Sequence, residues 1–355
     1  MQRRTSNALR IVATLGVLCI HGAGEFEAKL AYGGLLSSST GWQHYLAAVL
    51  SQLSRFSVPL FIVLSGYGLT ASRLQRGEEG WRSWMQLWQV KGIRILLPFA
   101  VFTLFGLLCQ HRLIWEHPST WPSTFCGSLL RGEGDYHLYF CSFLLQGYVL
   151  LPLISRINGF GVILLLLLQA WLGRPGGHLH AFYGFPFLQL PAWALPHWLG
   201  YLALGCFLAR RDHSRSEWPV ATKLSRWSWT LATLFAGAWC VAEFLLLISD
   251  VQEVAWINHF FRGSVMIYSL CLLFACRAWA TATEEAELSL SFEKLAGLGF
   301  CVYLIHTSLL RGWQLTPLRD DYLLLVLLLA FTSYGLAALA QRWLPGRWLR
   351  MMLGL

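Results

Sequence analysis

Residues 9–22 read LRIVATLGVLCIHG, an apolar run with an arginine at its second position and a histidine next to its end. On a helix rising 1.5 Å per residue, Arg10 and His21 stand about 16 Å apart along the axis, roughly half the thickness of a bilayer core. A guanidinium at one membrane face and an imidazole well inside the hydrocarbon is a costly arrangement, and intramembrane ionisable groups mark functional sites. His21 and Glu25 are odd occupants of a cleaved leader, so the run is read as a retained first span.

The rest of the composition agrees with a membrane origin. Of 355 residues, 56% are hydrophobic and 13% charged, with a mean hydropathy of +0.51, whereas soluble domains carry about 25% charge. Windows near 20 residues divide the chain into ten spans: about 8–24, 46–71, 91–110, 136–155, 159–173, 192–209, 228–248, 262–282, 296–314 and 321–341. The expected fold is an all-α polytopic membrane protein, a single membrane-embedded domain over residues 1–355 with no separate soluble domain.

Nineteen of the 27 lysines and arginines fall on segments that share a side with the N-terminus, seven fall on the other side, and Arg55 lies within the second span. The positive-inside rule then predicts that the N-terminus and C-terminus are both cytoplasmic. The net charge of +9 reads as topology, and nucleic acid is not expected as a partner. The nine cysteines read as small packing residues. Only Cys109 and Cys126, near one outer loop, are placed for a periplasmic disulfide.

Three groupings carry chemistry. His21 and Glu25 are four residues apart, one face of a continuous helix, where a carboxylate could orient an imidazole for general-base work in acyl transfer. The second span, RFSVPLFIVLSGYGLTA at 55–71, is interrupted by Pro59, Ser65, Gly66 and Gly68, the pattern of a kinked helix facing a cavity. In VKGIRILLPF at 90–99, Lys91 and Arg94 share a face at the entrance to the third span. They suit topology, anionic membrane lipids, or the phosphates of a nucleotide-bearing donor. Outer-loop aromatics such as Trp42, Trp115, Trp121 and Trp193 could stack on sugars or form an interfacial belt. His178 and His180 form an HxH with no third ligand in view, so no metal is expected.

Together these residues resemble the acyltransferase-3 family of integral membrane acyltransferases. Arg10 and His21 are similar to the family's Arg, ten residues, His pattern. Residues 58–67 look like its Pro-Leu-Phe and Ser-Gly-aromatic signature. Lys91, Arg94 and Pro98 stand where the family usually has Arg-x-x-Arg and a proline. YHLYFCSFLLQGYVLLPLI, around His137, is similar to its His-Leu-Trp-Phe span, with Tyr139 in place of the tryptophan. FCVYLIHTSLL, with Tyr303 and His306, looks like its Tyr-Leu-Ile-His segment.

The resemblance implies a ten-helix core that takes an acyl group, commonly acetyl, from cytoplasmic acyl-CoA and delivers it to a carbohydrate acceptor at the outer face. It assigns His21, with Glu25, to catalysis. Arg10, Lys91 and Arg94 would hold the acyl-CoA donor, and Ser65, His137, Tyr303 and His306 would line the substrate path. The expected setting is a bacterial inner membrane, with O-acetylation of a surface or exported polysaccharide and with polysaccharide biosynthesis or export proteins as partners. A non-catalytic exporter or flippase-like protein is the alternative. Such a protein has no need of a CoA site, which favours the enzyme.

Overall fold

Backbone polar groups inside a bilayer are satisfied only within helices or closed barrels, and these apolar runs become helices. The computed structural model describes residues 3–33, 41–77, 81–110, 118–172, 191, 193–214, 222–248, 260–280 and 290–355, with no strand among them. Helix α1 (Arg3–Gly22) meets α2 (Gly24–Gly33) at a 44° bend. Helices α3 (Trp42–Ser54) and α4 (Ser57–Gln75) form one 34-residue run broken at Arg55 and Phe56. Helix α5 (Trp81–Leu87) passes through a π turn at Trp88–Gly92 into α6 (Ile93–Gln110).

Next come α7 (Trp121–Arg131), α8 (Tyr139–Ile154), α9 (Gly159–Leu172) and α10 (Leu199–His213). The chain continues through α11 (Lys223–Leu247), α12 (Gly263–Ala280), α13 (Leu290–Gln314), α14 (Tyr322–Trp343) and α15 (Arg347–Met352).

Each of the ten predicted spans overlaps a helix, but their lengths differ from expectation. Among the described residues, six helical runs are long and apolar enough to cross a membrane, and the bent α1–α2 pair makes a seventh. Helices α8, α9 and α10 have 16, 14 and 15 residues, fewer than the roughly 20 of a straight crossing. The kink in the second span comes before Pro59, not at it. Pro59 is the third residue of α4, where its missing N–H leaves no helical bond unmade. Cys109 and Cys126 are both free thiols, so the expected disulfide is not formed. Trp115, His178 and His180 lie outside the described residues.

Helices α4 and α10 form the tightest-packed joint of the core, and glycines permit it. A Cβ added at Gly66 would stand 2.4 Å from the Leu202 carbonyl oxygen, and one at Gly205 would stand 2.1 Å from that of Val63. Without a hydrophobic force between helices in lipid, such close backbone approach is a main source of association. Leu60, Ile62, Phe143, Trp198 and Leu202 fill in around the joint. This packing fixes the face of α4 that carries Phe61, Leu64 and Ser65.

Gly205→Leu should therefore wedge the two helices apart at a cost of about 1–3 kcal/mol or more. In detergent it should lower the monodisperse fraction and the thermal midpoint, while Gly312→Ala, where nothing lies within 4 Å of an added Cβ, should change neither. Equal behaviour of the two variants would contradict the packing account.

Candidate active site

Three histidines from distant parts of the sequence meet at the end of the bundle where α1 finishes. His21 is the second-last residue of α1, His306 sits in the C-terminal half of α13, and His137 arrives on the turn before α8. The ring of His21 lies 4.9 Å from that of His306, which lies 5.1 Å from that of His137. The ring of Tyr136 lies 5.0 Å from that of His21, tilted by 59°, and Tyr136 is 54% exposed. Tyr303, one helical turn before His306, packs 5.2 Å from His137 and donates its hydroxyl hydrogen bond to the His137 carbonyl.

The turn is built by sequence. Gly132 ends α7 with φ +71°, a left-handed conformation that suits glycine. Gly134 lies so close to α6 that a Cβ would stand 2.5 Å from Thr103 Cα. Pinned there, the turn delivers Asp135 to α13. The Asp135 carboxylate accepts from Arg311 at 2.7 Å and from Thr307 at 3.1 Å. Its second oxygen is also 3.7 Å from Nδ1 of His137, beyond hydrogen-bond length. Asp135, Tyr136, Thr307 and Arg311 were not singled out from sequence, although GEGD directly before the quoted YHLYF is a turn signal.

Arg10 opens a separate cavity of about 280 Å³ at the other end of α1. Thr14 of α1, Phe61, Leu64 and Ser65 of α4, Phe140, Leu144 and Tyr148 of α8, and the glycine-rich stretch of α13 line it, and it ends at Tyr303. Gly297 faces open space there. Ser65 is one of the residues that line it. Lys91, half-buried in the π turn, and Arg94, exposed in α6, do not line the cavity. Lys91 does stand within electrostatic reach of Arg94, Arg76 and Arg10, so four cations gather around the mouth. Arg76 is the one that sequence reasoning passed over.

Glu25 is the clear departure. The helical register expected to put it on the His21 face is broken at Ala23, and Glu25 begins α2 with an exposed side chain. The buried carboxylate is Glu27 instead, 1% exposed. Glu27 accepts from Gln52 at 3.2 Å and pairs with Arg55 at 3.6 Å. Arg55 also donates to Ser51 at 3.2 Å and lies within reach of His21. Arg262, the first residue of the 262–282 span window, is 2% exposed and bonds both Gln52 and Glu243. Two arginines and two glutamates so balance one another beside the histidines, as buried charges must.

The family model for an acyltransferase domain matches residues 4–344. The chain belongs to the acyltransferase-3 family. No curated protein and no solved structure matches it. Family membership makes this multi-pass membrane protein one of a group of acyltransferases, and the match runs from α1 to the end of α14, across both the cavity and the three histidines.

In this acyltransferase, burial alone would raise the Asp135 carboxyl, but the neighbouring His137 and the Arg311 guanidinium outweigh it and hold it well below the ordinary carboxylate range. A carboxyl depressed on folding adds stability that is complete above its unfolded pKa, about 4. That stability is lost as pH falls toward the folded value. Thermal midpoints in detergent should therefore fall more steeply as pH is lowered below about 4 for the natural protein than for Asp135→Asn, with the two profiles parallel above about pH 5. Parallel pH profiles would show that the Asp135 contacts do not stabilise the fold.

Proposed function

We propose that this protein moves an acyl group, acetyl in the first instance, from acyl-CoA to a hydroxyl of a surface or exported polysaccharide on the opposite face of a bacterial inner membrane. The observation that carries the reading is the cavity that begins at Arg10 among cations and ends at Tyr303 beneath the three histidines. A mostly apolar passage with positive charge at its mouth matches a donor made of phosphates joined to a long, neutral thioester arm.

Arg10, Lys91 and Arg94, joined by Arg76, would meet the phosphates. Arg10 and Arg94 can offer a planar fork, whereas Lys91 acts as a point charge. The bias of basic residues toward the N-terminal side supports an acyl-CoA entry from the cytoplasm. Thr14, Ser65 and the glycines of α13 leave room for the arm, and its thioester would come to rest near Tyr303. The acceptor would approach from the side of Tyr136. His21 would take the hydroxyl proton as the oxygen attacks the thioester carbon.

Membranes holding the natural protein should transfer label from acetyl-CoA to endogenous glycan, and His21→Ala should lower that transfer by at least about 100-fold at normal protein levels. Lys91→Ala with Arg94→Ala should raise the acyl-CoA concentration needed for half-maximal rate, with a smaller effect on the maximal rate. Full transfer by His21→Ala would remove His21 from the chemistry. A folded natural protein that exports glycan without acylating it would favour the exporter.

A further inference from the structure

Beside His21, a second histidine has a ring set for proton transfer. His306 is 0% exposed, and its Nδ1–H donates to the Tyr303 carbonyl oxygen at 2.6 Å. A carbonyl can only accept, so the hydrogen bond places the proton on Nδ1 and leaves Nε2 with a free lone pair. That Nε2 is buried and meets no hydrogen-bond partner among the described residues. A buried, unpartnered polar atom in a native core calls for an explanation. Among the described residues neither ring nitrogen of His137 makes a hydrogen bond, and Glu25, expected on the His21 face, is exposed on α2.

The position of His306 supplies the explanation. Tyr303, 5.9 Å away by ring centroids, lines the end of the cavity. On the other side His21 lies 4.9 Å away, and beyond it Tyr136 reaches the surface. His306 therefore neighbours both His21 and Tyr303, a residue of the cavity lining.

We infer that His306 is a second acid–base residue, which carries the proton from His21 to the sulfur of the departing thiolate. This inference rests on the acyl-transfer reading above. In the step, the acceptor O–H bond breaks and His21 takes the proton, while the oxygen forms a bond to the thioester carbon. The C–S bond then breaks with its electron pair remaining on sulfur. His21 passes a proton to Nε2 of His306, and the imidazolium so formed protonates the thiolate. The products are the ester and the free thiol, and both imidazoles end neutral. Throughout, Nδ1 of His306 keeps its hydrogen bond to Tyr303, which stabilises the charged intermediate.

His306→Asn separates this role from a structural one, because the asparagine amide N–H can still donate to the Tyr303 carbonyl. With acetyl-CoA the variant should transfer to glycan about 100-fold more slowly than the natural protein. With S-phenyl thioacetate, whose aryl thiolate leaves without protonation, the loss should shrink below about tenfold. The ratio between the two donors is read on one protein sample, so it does not depend on the folded fraction. Should the asparagine variant fail to accumulate, His306→Gln carries the same comparison.

Near-natural transfer by the variant from acetyl-CoA, or an equal loss with both donors, would overturn the inference and leave the acyl-transfer reading standing. A natural protein inactive with both donors would instead overturn that reading itself.

Discussion

The ion pair between Asp135 and Arg311 holds the site together. It ties a glycine-built turn to the last turns of a long helix, and with Thr307 it sets the height at which His137 meets Tyr303 and His306. In a membrane bundle such a contact is worth more than its Coulomb energy. Once the turn is docked, no low-cost alternative exists for the buried Asp135 carboxylate, because an unpaired carboxylate away from water is strongly disfavoured. The register of α13 against the turn is therefore fixed, and with it the stack of rings that leads to His21.

The same constraint shapes the neighbouring charge network. Arg55 and Arg262 are 4% and 2% exposed, yet each has a carboxylate and an amide or hydroxyl partner, drawn from α2, α3 and α11. The break between α3 and α4 lets Arg55 reach Glu27 from the middle of a membrane-length run. The bend at Ala23 turns Glu27 inward and leaves Glu25 outside. Both irregularities sit next to His21, which gives them a common physical reason: they are where the bundle departs from straight helices to accommodate ionisable groups.

Much of this was legible in the sequence, because apolar runs near 20 residues have few alternatives to helix and because Arg10, His21, Ser65, Tyr303 and His306 lie within such runs. The error over Glu25 came from extending helical spacing across Gly22 and Gly24, residues that weaken a helix. Asp135 and Arg311 escaped notice because a turn aspartate and a helix arginine 176 positions apart carry no mutual signal in a single sequence. The burial of Arg262 was not legible because window hydropathy marks the edge of a span without showing whether the edge is covered by other helices. The glycines that bring α4 and α10 together were seen only as interruptions of α4, since their partners lie on a helix well over a hundred residues away.

The central claim is a path through the bundle from cations at one membrane face to histidines near the other. Sealed vesicles of known orientation test it most directly, with labelled acetyl-CoA confined to the face that carries Arg10, Lys91 and Arg94. The account predicts label on glycan hydroxyls at the opposite face, and no transfer when the acetyl-CoA is supplied there instead. Transfer from the opposite face, or labelled glycan confined to the side of the donor, would contradict it.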